Sequence, residues 1–187
     1  MLKTLIRRQL DAFDRDYRYD TSYLRELVDI DLGAFLRFAR ATKLSRYRRD
    51  LPLAVWHAAK LTGAMAEDCG PCSQLVVTMA ERDGVDAKLL RAVARGDLGA
   101  LGDDVRLGVE FARAVLERDV RGDALREQVV ARWGRQALVS LAFAVVSARM
   151  YPTLKYALGF GRTCSRLVVG GEPIAVHRAQ HASSLSA

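Results

Sequence analysis

The chain has 187 residues, half of them hydrophobic, and a mean hydropathy near zero. That is enough for one domain with a sizeable core, and it excludes a disordered chain. The formal charge of +7 comes from 29 basic against 22 acidic residues, and lysine appears only at Lys3, Lys43, Lys60, Lys88 and Lys155. Because the basic residues are dispersed among acids, solvated helix faces are expected, not a nucleic-acid or anionic-membrane surface.

Three cysteines are too few for a disulfide-stapled secreted framework, so a reducing, cytoplasmic setting is expected. Met1 to Leu10 is basic, acids follow at Asp11 and Asp14, and no uninterrupted apolar leader is read there. No run approaches 18 uncharged apolar residues, so no membrane span is expected.

Leu2, Leu5, Ile6, Leu10 and Phe13 recur at helical spacing and predict an amphipathic first helix. Its apolar face is expected to pack on the domain or on a second subunit. Tyr17 to Ser22 reads as a turn, with Thr21 or Ser22 capping a second helix to Ala41. Lys43 to Asp50 is the one dense basic cluster. With Tyr47 inside it, it resembles a nucleic-acid patch, but a solvated connection is expected and no nucleic acid partner. A third helix, Pro52 to Met65, carries Trp56 and His57.

Cys69-Gly70-Pro71-Cys72 follows, with an apolar helical run after it to Asp83 and Gly84 as the residue that ends it. Asp68 is a good N-cap, and proline is tolerated only in a first helical turn. The pair thus opens a helix, where free N–H groups and the dipole stabilise a thiolate. Attack on a disulfide or peroxide needs such a thiolate, and a second thiol three residues away can close an internal disulfide. Half of a structural zinc site is another use of this spacing. It would need two more ligands, and only Cys164 and His57 are on offer, so no metal is expected. Two buried, unreactive cysteines are a third use, against which the polar Glu67 and Asp68 argue.

Beyond the cysteines, Asp86 caps a short helix through Val93, and Gly96 to Gly102 forms a loop. Asp103 or Asp104 opens the next helix, and Asp123 caps Ala124 to Trp133. Gly134 breaks the chain before an apolar helix, Ala137 to Tyr151, predicted to be central and buried. Pro152 ends it, and Thr153 caps a last helix to Arg166 containing Cys164, taken as a small core residue between Arg162 and Arg166. Val168-Val169 reads as a short extended piece, Gly170-Gly171 and Pro173 end the packed part, and His177 and His181 fall in the tail. No run alternates with period two. The expected fold is all-α, a single domain of seven to nine helices. It divides into an N-terminal extension, 1–49, a core, 50–169, and a disordered tail, 170–187.

Cys-Gly-Pro-Cys is also the thioredoxin tetrad, but there it follows a β-strand, and here Ala54 to Ala66 is helical. Over residues 50–166 the chain resembles the carboxymuconolactone decarboxylase-like family, in its alkyl hydroperoxidase D branch. The resemblance rests on Glu67-Asp68-Cys69-Gly70-Pro71-Cys72 and on Glu81-Arg82-Asp83-Gly84-Val85-Asp86. The runs Gly102 to Ala112 and Tyr151 to Gly159 add to it. It implies a cysteine redox centre with Cys72 attacking and Cys69 resolving, the inverse of thioredoxin logic. It also implies no cofactor, a reducing dithiol partner protein and a homo-oligomer. The branch carries a relay His where this chain has Val76, and a relay Glu where it has His57. His57 is therefore a candidate base, with Glu67 a second. The expected activity is reduction of a small peroxide or a protein disulfide. The alternative is a catalytically degenerate helical oligomer or binding protein of the same family.

Overall fold

A computed structural model of the chain describes residues 1–161 and 166–176, with the Arg166 side chain left out. The domain is all-α, with eight α-helices among the described residues and one small hairpin. Cys164, Arg162, His177 and His181, and the sequence expectations attached to them, lie outside the described residues or side chains.

Three helices precede the cysteine region: α1, Leu2–Tyr17; α2, Ser22–Ile30; and α3, Leu32–Ala41. The single helix expected from Ser22 to Ala41 is broken at Asp31. Its extended backbone ends α2, and its side chain accepts from Gly33 N–H to cap α3. A 3₁₀ turn, Thr42–Arg46, leads into the core.

The core is organised on α4, Leu53–Ala66, which has no exposed residue and packs against α5, Gly70–Arg82, α7, Asp103–Glu117, and α8, Gly122–Ala157. Val55, Ala58, Ala59 and Leu61 are completely buried. Between α5 and α7 lies α6, Ala87–Arg95, capped by Asp86 and ended by Gly96 in a left-handed conformation.

Helix α8 spans three expected pieces, Ala124 to Trp133, Ala137 to Tyr151 and the start of Thr153 to Arg166, the last of which ends early at Ala157. Gly134 is indeed non-helical (φ 84°), but the chain resumes helix at once and runs through Pro152. It is not buried all round as expected: Val139 and Val146 face out, while Ala137, Leu141 and Ala144 are fully buried. By length and composition α8 suffices to cross a membrane; a soluble core helix passes the same test.

The chain from 170 on also departs from expectation. Strand β1, Arg166–Val169, pairs antiparallel with β2, Glu172–Ala175, across Gly170-Gly171, which both take positive φ. Leu167, Val169 and Ile174 are buried against the core, so the packed part reaches beyond Pro173. Each strand has four residues, too short for alternation to register in the sequence.

Candidate active site

Helix α5 starts one residue later than its acidic neighbours suggest. Asp68 takes a left-handed conformation (φ 47°), and Cys69 itself is the N-cap. Pro71 sits in the first turn, and Cys72 follows inside the helix. Both sulfurs thereby face the positive end of the helix dipole. They lie 2.7 Å apart and are not bonded. That is well inside van der Waals contact, against a disulfide length of about 2.05 Å.

The expectation that these cysteines are not buried is overturned: Cys69 is 1% exposed and Cys72 4%. The N-terminal helices cover them. Tyr19 and Tyr23 join the two cysteines in an apolar cluster of their own, separate from the main core. Tyr19 Oη lies 3.5 Å from Cys72 Sγ and 3.3 Å from Tyr23 Oη. Buried Lys155, from the last turn of α8, holds its ammonium 4.6 Å above the Tyr19 ring and 5.1 Å above the Tyr23 ring.

The two thiols titrate as one unit. Cys69 is drawn down to about 7, because with Cys69 ionised the Cys72 S–H and backbone N–H both hydrogen-bond to it, and the Lys155 charge adds to this. Cys72 is pushed far up, first by that hydrogen bond to Cys69 and then by burial. One proton is therefore retained between two sulfurs. Burial raises both tyrosine hydroxyls, so Tyr19 and Tyr23 stay neutral and able to donate.

Cys72 lines a cavity of about 690 Å³ between the N-terminal helices and α4, α5 and α8; Cys69 does not line it. Tyr19, Tyr23 and Tyr151 share its wall, and so do His57 and Val76. His57 is 2% exposed and its Nε2 lies 2.7 Å from the Asp83 carboxylate at the end of α5. A carboxylate only accepts, so Nε2 carries the proton and the neutral ring presents Nδ1 as a lone pair. Nδ1 is buried without a hydrogen-bond partner among the described residues. Burial lowers the His57 pKa and keeps the ring neutral.

Glu67 is placed differently. It does not line the cavity; it pairs with Arg149 and accepts from Thr153 Oγ1 at 3.3 Å, tying the α4–α5 corner to α8. Among the described residues no cluster of three His, Cys, Asp or Glu side chains is placed to hold a metal ion.

No protein-family model, curated protein or solved structure matches this chain. Its chemistry is therefore argued from the site itself. Sequence reasoning missed Tyr19, Tyr23, Lys155 and Asp83 as parts of that site. The tyrosines stood in a segment with ordinary turn composition, outside the stretch that resembles a family. A signal was present in Tyr19 and Tyr23, which stand four apart across the start of α2.

Proposed function

We propose that the chain is a thiol-dependent reductase of peroxides or protein disulfides, akin to the alkyl hydroperoxidase D branch, with Cys72 attacking and Cys69 resolving. One observation carries the reading: two free sulfurs 2.7 Å apart at a helix N-terminus, with only Cys72 on the wall of a large cavity.

At rest the pair's one proton sits on Cys72; in the cycle it passes to Cys69 across the 2.7 Å contact, and the Cys72 thiolate so formed attacks the terminal oxygen of a hydroperoxide. A sulfur–oxygen bond forms and the O–O bond breaks. Cys72 becomes a sulfenic acid, and the departing alkoxide takes a proton. The neutral Tyr19 hydroxyl stands beside Cys72 as a donor. Cys69 then attacks the Cys72 sulfur, its thiol proton leaves with the hydroxyl as water, and the disulfide closes. A dithiol partner protein reduces it by thiol–disulfide exchange, itself becoming a disulfide. A protein disulfide as substrate enters by the same attack, forming a mixed disulfide that Cys69 resolves. No cofactor is needed. The outer face of α1, with Leu2 and Leu5 half exposed, is available for a homo-oligomer contact.

The test is single-turnover oxidation by peroxide, followed by mass measurement. The wild type should gain an internal disulfide and lose two hydrogens. Cys69→Ser should stop at the Cys72 sulfenic acid, and Cys72→Ser should do neither. A pair that does not oxidise reversibly sinks the redox reading and leaves the degenerate binding protein in its place.

A further inference from the structure

The cavity beside Cys72 has two kinds of wall. Its buried part is aromatic: Tyr19, Tyr23 and Trp56, with the largely buried Tyr151. Its exposed lining is basic, with Lys43 and Arg46 on the 3₁₀ turn and Arg82 at the end of α5. Half-buried Lys60 is a fourth cation, and the one carboxylate among the lining residues, Asp83, is held by His57.

Two features inside this lining point to a ligand. The Lys60 ammonium donates to the Ser45 carbonyl at 2.6 Å and sits 3.2 Å from the centre of the Trp56 ring. Neither neighbour carries a negative charge; burial lowers Lys60 to about 8 despite the opposing pull of the Asp83 charge, and an anion beside it would offset that burial cost. The second is His57 on the same wall, whose buried Nδ1 has no hydrogen-bond partner among the described residues.

We infer that this cavity binds an amphipathic organic acid, its carboxylate held at Lys60 and Arg46 and its apolar body lying along the tyrosines toward Cys72. The volume suits such a ligand, small-molecule sites spanning roughly 300–1,000 Å³. Resting on the redox reading above, the substrate is the hydroperoxide of that acid. The Cys72 thiolate takes its terminal oxygen and the corresponding hydroxy acid leaves.

Binding is tested without turnover, using decanoate, decanol and decyltrimethylammonium as probes of the full chain, by calorimetry. The Cys69→Ser/Cys72→Ser double variant is titrated beside the wild type. Decanoate should bind with one-to-one stoichiometry to both, about tenfold or more tighter than decanol, with the cation weakest. Arg46→Met, on the surface, and Lys60→Met should each weaken decanoate by about three- to tenfold and leave decanol within about twofold. Decanol binding as tightly as decanoate, or no saturable binding of decanoate, overturns the inference. The two readings fail separately. Decanoate binding with no peroxide turnover removes only the redox reading. Turnover with equal kcat/KM for a hydroperoxy acid and its methyl ester removes only the acid specificity.

Discussion

Tyr19 Oη touches Cys72 Sγ at 3.5 Å across 53 residues of sequence, and both groups are buried. The N-terminal extension is therefore part of the thiol site. The hydroxyl hydrogen-bonds to the sulfur and favours its ionised form, opposing part of the upward push from burial. Tyr19→Phe keeps the ring and removes that bond. Peroxide oxidation of Cys72 should slow by about tenfold, the loss of about 1.4 kcal/mol for one hydrogen bond to a charged group. Stopped-flow rates on the two proteins decide it. An unchanged rate with an unchanged melting temperature would remove Tyr19 from the chemistry.

The thiol pair predicts a pH profile. Cys69 ionises near pH 7 in the native state against 9.0 ordinarily, so between those values the unfolded chain binds more protons and stability rises with pH. That contribution is complete above pH 9 and lost as pH falls through 7. Cys72 has the opposite shift: above pH 9 the unfolded chain releases a proton that the native state keeps, and stability falls. The thiolate absorbance of this pair, read on a Cys164→Ser background, should thus show one midpoint near pH 7. Lys155→Met should move that midpoint upward, because the ammonium favours the thiolate. A midpoint unmoved by that substitution refutes the role given to Lys155.

His57 gives a separate acid limb. Its native pKa lies below 6.5 because burial disfavours the charged ring. As pH drops below 6.5 the unfolded chain takes up a proton before the native one does, so stability is lost in that window. His57→Gln should flatten the slope of unfolding free energy there and leave the slope above pH 7 unchanged. Urea melts at several pH values on both proteins measure it. Asp83→Asn should steepen the loss, since the Asp83 carboxylate is what favours protonated His57.

Much of this site could be read from the chain, and the parts that were missed have physical causes. The cysteine helix was legible because Pro71 and the spacing of Cys69 and Cys72 restrict the backbone locally. Burial was not legible, because it is imposed by α1 and α2, whose packing leaves no mark near Cys69. Asp68 looked like the cap, but its side chain is not the one that starts the helix; a left-handed residue there turns the chain so that Cys69 does. Pro152 looked like a helix end, but tertiary packing carries α8 through it and thereby delivers Lys155 to the thiols. His57 was legible as a candidate. Its partner Asp83 was read only as the end of α5.

The position of His57 depends on how closely α4 approaches α7, and one glycine sets that distance. A Cβ added at Gly108 would lie 2.4 Å from Val55 Cγ1, and Val55 is completely buried and stiff at χ1. Alanine in a helix interior is favoured over glycine by about 1 kcal/mol, whereas overpacking costs about 1–3 kcal/mol. Overpacking wins here because a β-branched neighbour cannot swing aside. Gly108→Ala should therefore destabilise the fold by about 1–2 kcal/mol despite its helix propensity. Val55→Ala alone should also destabilise, by opening a hole between the helices. The double variant should cost less than the two single costs together, by about 1 kcal/mol or more, because each substitution relieves the other. Denaturant unfolding of the four proteins closes the cycle. Strict additivity, or a Gly108→Ala protein more stable than the wild type, would mean that α4 stands farther from α7. His57, two residues along α4 from Val55, would then sit elsewhere than on the cavity wall.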